Sequence, residues 1–284
     1  MDTVTHGLTG WLIARSVPEN QGGKTATAAV VLGSVLPDAD HLASLLGSDA
    51  AIRFHRGISH SFAGIAVSSL LLAFLLCRFG KWKDLKKLYL LVLIGQLSHI
   101  ALDLLTSYGT QILQPFSDVR VSFDLLFIID LVFTGIVLAG ILLSRHRPMR
   151  ARAALATLAM YVGVAAVLHV RAEDAVRTAA ERSGISVVSV AALPRLTEID
   201  VGKRLASNPL AGEAWAGDEL KGLPNLPITD RPGRYPVPAG PLSWNGFVDD
   251  GRTYLRAEVD PFTGRVAWKQ RVLRGRDVPE VKAL

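Results

Sequence analysis

The stretch LYLLVLIGQLSHIALDLL, residues 88–105, is an apolar run interrupted only by His99 and Asp103. As a helix rising 1.5 Å per residue it extends about 27 Å, close to the roughly 30 Å hydrocarbon core of a bilayer. Four-residue spacing puts His99 and Asp103 on one helical face, within reach of a single ion. Taken alone, the pair reads first as a hydrogen-bonded contact closing a helix bundle. An ionisable group inside a membrane segment nevertheless costs several kcal/mol unless it is paired, hydrated or metal-bound, so its presence is a functional hypothesis.

Three further runs have comparable length. Residues 61–77 carry no charge, 125–144 are interrupted only by Asp130, and 153–170 only by His169. Two shorter runs, 5–14 and 26–36, precede them and read as a short helical hairpin that enters the membrane without fully crossing, or as two thin spans. The first run has neither a basic flank nor a small-residue cleavage site, so a cleavable signal peptide is not expected. Half of the 284 residues are hydrophobic and the mean hydropathy is +0.32, too apolar for an ordinary soluble two-domain enzyme. The expected fold is therefore mainly α. A polytopic membrane bundle of four spans plus the hairpin occupies residues 1–171, and a small extramembrane β-rich domain occupies 172–284.

The sequence pI near 9.6 does not call for a nucleic acid partner. Nine basic residues of the first 171 fall in two short segments, 78–87 and 145–152, each separating two apolar runs. Cytoplasmic loops of membrane proteins collect Lys and Arg in this way. With both segments on the cytoplasmic side, alternation puts residues 38–60, the loop 106–124 and the C-terminal domain outside. The hairpin agrees, because Arg15 and Lys24 lie at its turn and leave His6 and Asp38 at the outer ends.

The ionisable residues assigned to that outer side are Asp2, His6, Asp38, Asp40, His41, Arg53, His55, Arg56, His60, His99, Asp103, Arg120, Asp124 and Asp130, including five of the seven histidines. Cys77 is the single cysteine, which excludes both a disulfide and a Cys-type zinc site within one chain. Any metal must be held by His and carboxylate. In HRGISHS, His55 and His60 are five apart, so Gly57 must break the helix for both to face one site. In LPDADH, Pro37 sets a boundary after the apolar run and leaves Asp38 and Asp40 as oxygen ligands or as helix N-caps. Asp124 reads as a helix cap, whereas Asp130 lies inside its run and needs a partner.

Together, MDTVTHGLTG, LPDADH, HRGISHS, LSHIALDLLTSYGTQILQPFS and LLFIIDL resemble the YdjM-like family of bacterial membrane-bound proteins described as metal-dependent hydrolases. The resemblance covers about residues 1–140. It implies a multi-span protein of the inner (cytoplasmic) membrane with a polar core formed by His6, Asp38, His55, His60, His99 and Asp103. HRGISHS and the HxxxD pattern are more distantly similar to zinc-dependent phospholipase C and P1 nuclease, which offers phosphoester chemistry by analogy. Met1 and the lack of a tryptophan amine depart from that group.

Six candidate ligands exceed the three that a catalytic zinc commonly takes, which suggests two ions, or one ion with supporting partners. Zinc is the metal expected first, with manganese and iron as alternatives. Asp40 and Asp130 are the candidate proton acceptors. Arg56, between two candidate ligands, is the candidate phosphate-binding residue, while Arg53 and Arg120 read equally as headgroup anchors. The expected partners are the lipid bilayer and a lipid or other envelope ester or phosphoester. Rival readings are a transporter with a polar path and a structural protein tied by metal.

After residue 172, a helical continuation to Arg182 should give way to strands at 185–191, 242–248, 253–259 and 265–272. Turns at Asp249-Asp250-Gly251 and across 260–264 join the last three. The proline-rich stretch 209–241 shows little periodicity.

Overall fold

The computed structural model describes residues 1–17, 23–46, 55–144, 147–200, 234–238 and 240–273. Arg53, Arg145, His146 and most of the proline-rich stretch lie outside them. The expected hairpin is present as α1 (Thr3–Ser16) and α2 (Gly23–Val35). A 3-10 helix, Leu36–Leu46, follows α2, and a one-turn 3-10 helix, Ile58–His60, leads into α3 (Phe62–Phe79) and α4 (Leu85–Leu104). Next come α5 (Leu131–Leu143) and α6 (Pro148–Arg182).

The starts of these helices carry recognisable caps. Asp2, Ser61, Asp84 and Asp130 each accept a backbone N–H of the first turn at the head of α1, α3, α4 and α5, satisfying donors that the helix itself leaves open. Pro148 opens α6, where its missing N–H costs nothing. Three helices, α3, α4 and α6, are long and apolar enough to cross a membrane. α5 is apolar but has only 13 residues. It begins six residues later than the apolar run, and residues 125–130 stay non-helical. Asp130, expected inside the helix, is therefore its cap.

α2 packs between α1 and α4. It crosses α4 at glycines, because a Cβ on Gly33 would lie 2.4 Å from the Val92 carbonyl oxygen, and one on Gly95 would lie 2.3 Å from that of Val30. Backbones can approach this closely only where side chains are absent. The basic ends of the helices gather together. Arg15 donates to the Ile141 carbonyl at 3.0 Å, Arg152 to that of Ser16 at 3.0 Å, and Ala14, Lys24, Trp82 and Lys87 line one cavity. The start of α1 and the ends of α2 and α4 lie at the other end of the bundle, where His6, Ser34, His99 and Asp103 meet.

α6 runs for 35 residues without a break. Its second half carries Leu168, Ala172, Val176 and Ala180 into a core with Ala192, Trp244, Val248, Leu255 and Val259 of a sheet. That sheet is antiparallel in the order β1 (Ser189–Pro194), β4 (Trp244–Asp249), β5 (Thr253–Asp260) and β6 (Arg265–Leu273). In β5, Thr253, Leu255, Ala257 and Val259 alternate inward, which is the period expected of a strand with one covered face. A second ribbon pairs β2 (Leu196–Asp200) with β3 (Arg234–Pro238), two strands the sequence pattern does not reveal.

The last three strands and both turns fall where expected, but the first begins at Ser189 rather than at 185. Gly184 has φ +69 and ends α6, and the Ile185 amide bonds back to Ala180 O at 3.0 Å. This left-handed termination uses the next residues to leave the helix, so Ile185 packs on the core before pairing starts. Trp244 is fully buried and its indole N–H reaches the Pro241 carbonyl at 2.8 Å. Trp244→Ala should cost about 3–5 kcal/mol. The expected readout is rapid proteolysis of the 240–273 segment in detergent, while the helices of the bundle keep their melting behaviour.

Candidate metal centre

The end of α4 brings His99 and Asp103 inward as their spacing requires, and both are fully buried. His6 from α1 and His60 from the turn before α3 are fully buried beside them, and Asp38 joins from the 3-10 helix after α2. His60 Nε2 and His99 Nε2 are 3.0 Å apart, and each is 3.3 Å from Asp103 Oδ2. Asp38 Oδ1 lies 3.5 Å from His99 Nε2 and 3.8 Å from His60 Nε2. His6 stacks on His99 with ring centroids 3.6 Å apart and places Nε2 3.2 Å from Asp103 Oδ1.

The outer nitrogens of the two central rings fix which atoms carry protons. His99 Nδ1 is 2.8 Å from the Ser34 carbonyl oxygen, which can only accept, so this nitrogen is the donor. Ser59 gives its hydroxyl proton to Asp40 at 2.9 Å and so receives from His60 Nδ1 at 2.9 Å. In their neutral forms both rings therefore turn an Nε2 lone pair inward. Asp103 Oδ2 makes no hydrogen bond despite its burial. Three acceptors at these separations repel one another unless a positive charge lies among them: a metal cation, or an extra proton on one ring.

The donor set fits a metal. Four ligands about 2.0–2.1 Å from a tetrahedral zinc lie roughly 3.3 Å from one another. The separations among His60, His99 and Asp103 are 3.0, 3.3 and 3.3 Å, with Asp38 somewhat farther out. The backing of each histidine by a carboxylate or carbonyl is the arrangement that orients metal-binding imidazoles. His6, Asp38 and His99 form an overlapping group of donors on the other side of His99.

Asp40 does not join this inner group. It accepts the Arg56 backbone N–H at 2.9 Å and the Ser59 hydroxyl, and it faces His55 Nδ1 at 3.2 Å and His60 Nδ1 at 3.3 Å. Burial opposes its charge, but the bonds from His55, His60 and Arg56 prevail and hold the carboxyl well below the usual carboxylate range. Its lone pairs are thus committed to positioning rather than open to a proton from water. His55 points outward with it, and together with His41 they form a separate group of three possible ligands, with His41 largely exposed.

Two further residues expected to act directly are occupied otherwise. Arg56, 3% exposed, places Nη2 2.8 Å from Asp103 Oδ1 and Nη1 3.0 Å from Thr106 Oγ1, so two of its three nitrogens are engaged within the protein. It has φ +58, a conformation unusual for arginine, and Gly57 next to it is non-helical as well and precedes the turn that carries His60. Asp130 accepts the Phe133 amide at 2.9 Å and the Tyr161 hydroxyl at 2.8 Å, and none of its hydrogen bonds reaches the cluster.

Other participants carry no signal as single residues. The Met1 amino group pairs with Asp103 Oδ1, a contact the sequence reading does not foresee. Thr3 donates to Asp38 Oδ2 at 2.6 Å. Tyr108 lies between the guanidinium groups of Arg56 and Arg120, at 5.0 and 5.7 Å, with His55 against its edge. Thr3, Ser59, Thr106 and Tyr108 sit inside the motifs that carry His6, His60 and Asp103, and that adjacency is their one trace in the sequence.

Residues 1–172 match the family described as YdjM inner membrane protein. The chain belongs to that family. The YdjM match covers the bundle and ends within α6, leaving the sheet outside it. The chain is also 31% identical over 133 residues to the uncharacterized protein YfhP of Bacillus subtilis (strain 168), a match covering 44% of this chain and 41% of that relative. The chain thus spans less than half of the relative's length. No solved structure matches.

Two substitutions test how the centre is held. Asp40→Asn weakens the backing of His60 and should lower the affinity for an added divalent metal about 10- to 100-fold, read by competition with a chromogenic chelator. Gly95→Val forces α2 away from α4 and moves the Ser34 carbonyl off His99, so it should lower that affinity further even though residue 95 offers no ligand.

Proposed function

We propose that this chain is a membrane-embedded, metal-dependent hydrolase that cleaves an ester or phosphoester of a lipid or envelope component. The observation that carries the reading is the convergence of the His60 and His99 Nε2 lone pairs on the unpartnered Asp103 Oδ2 at near-tetrahedral separations. A bound divalent metal lowers the pKa of its water from 15.7 to about 7, supplying hydroxide at neutral pH. Zinc suits the donors, and manganese or iron remains compatible with a His and carboxylate set.

In this reading His60, His99 and Asp103 hold the metal, with His6 and Asp38 flanking it. Asp38 lies on the looser side of the group, and its Oδ1, 3.5 Å from His99 Nε2 and 3.8 Å from His60 Nε2, is the carboxylate oxygen assigned to take the proton. Asp40 and the Ser34 carbonyl keep both imidazoles in the binding tautomer. Arg56 neutralises Asp103 through Oδ1, the oxygen that does not face His60 and His99. A second ion at Asp40, His41 and His55 belongs to the same reading, and Asp130 takes no part.

A structural role for the metal is the second reading, favoured by the complete burial of His6, His60, His99 and Asp103. Elemental analysis of protein purified without chelator separates the two. The hydrolase reading expects stoichiometric metal, loss of it in His99→Ala, and hydrolysis of para-nitrophenyl esters or bis-para-nitrophenyl phosphate that EDTA removes and zinc restores. Bound metal with no turnover on either class supports the structural role, and absence of metal overturns both.

We further infer four spans, with α5 as a thin fourth, and the centre and sheet at the outer face of the inner membrane. The gathering of the basic helix ends opposite the cluster supports this orientation, because both basic loops then face the cytoplasm. A phosphatase fused after Leu284 should be active, and a fusion active only with a cytoplasmic reporter would reverse the assignment.

A further inference from the structure

A cavity of about 530 Å³ opens beside the cluster. Leu32, Val35, Leu36, Ala39, Leu42, Leu45 and Leu72 form its wall, and its polar lining is Thr3, Asp38 and His41. Three of the wall leucines are strongly exposed, Leu32 at 46%, Leu42 at 67% and Leu45 at 82%. In a soluble protein such a rim would be an aggregation hazard, whereas in an inner membrane protein, at and just past the end of α2, it can meet lipid. The polar residues are not scattered along the wall. Asp38 is shared between cavity and cluster, with Oδ1 turned to His99 and His60 and Oδ2 held by Thr3.

The geometry points to a groove that admits one hydrocarbon chain sideways from the bilayer and presents the linkage at its head to Asp38 and His41. This inference rests on the hydrolase reading for its chemistry and narrows the substrate to a membrane lipid with an acyl or other long alkyl chain. The volume lies in the range of small-ligand sites, and an apolar wall with a few polar groups at one end is how such sites orient an amphiphile. A water-soluble phosphoester would leave the leucine wall without a function. Moving a chain from lipid to this wall changes its surroundings little, so the groove selects by shape and by the position of the head rather than by hydrophobic gain.

The test needs neither metal nor turnover. Full-length protein is reconstituted in vesicles of phosphatidylethanolamine and phosphatidylglycerol carrying phosphatidylethanolamine with a diazirine at the end of one acyl chain, then photolysed and mapped by peptide mass spectrometry. Labelling of the peptides bearing Leu32, Leu36, Leu42 and Leu45 should exceed severalfold that of Leu75 and Leu142, which are exposed outside the groove. Leu72→Trp fills the groove and should remove the excess without changing the label at Leu142. Leu42→Trp, at an exposed rim position, serves the same purpose if the first variant fails to fold. Equal labelling of groove and belt, unchanged by either variant, overturns the inference. Groove labelling in protein that holds no metal keeps the lipid site and retires the hydrolase reading; metal and turnover without groove labelling do the reverse.

Discussion

A carboxylate with no exposed surface, Asp103, lies where α1, the turn before α3 and α4 meet, and the chain must compensate its charge. A lone ionised carboxylate in an apolar interior is far too costly to persist, so its neighbours are a requirement rather than an embellishment. Oδ1 takes Arg56 and the Met1 amino group, and Oδ2 faces His60 and His99. All of these partners except His99, one turn away on α4, come from segments distant in sequence. Closing the bundle and assembling the cluster are consequently one event, and neither the start of α1 nor the HRGISHS turn can be placed without the other.

The way α2 ends supplies the next constraint. The last carbonyls of a helix have no partner within it, and Pro37, lacking an N–H, prevents the helix from simply continuing. Ser34 is one of those last residues, and its free carbonyl is taken by His99. The bare crossing at Gly33 and Gly95 brings that carbonyl within reach. A helix terminus, a proline and two glycines thus decide the protonation pattern of a histidine on another helix.

Much of this was legible in the chain. The HxxxD spacing placed His99 and Asp103 together, apolar length located the helices, and charge bias put the basic loops at one end. The features that escaped depend on partners that a linear pattern cannot name. Asp130 resembled a buried acid in search of an ion because the apolar run began at residue 125, yet the chain there passes through a loop before a helix that needed a cap. Arg56 looked free for an anion because its neighbours in sequence are candidate ligands, but its guanidinium reaches back to Asp103. Asp40 and Asp38 are indistinguishable as letters in LPDADH. The 3-10 turn sends one to the inner nitrogens and the other to the outer ones. The ribbon of β2 and β3 lies in a region whose prolines mask any alternation.

The unbroken helix α6 gives the sheet a mechanical tie to the bundle. Its 35 residues span about 52 Å, and Leu168, where contact with the sheet core begins, lies about 30 Å from Pro148. That distance is close to the hydrocarbon thickness, so the part of α6 before the sheet contact is by length sufficient to cross a bilayer. One continuous helix contributes to the cores of both the bundle and the sheet, so any tilt of α6 carries the sheet with it.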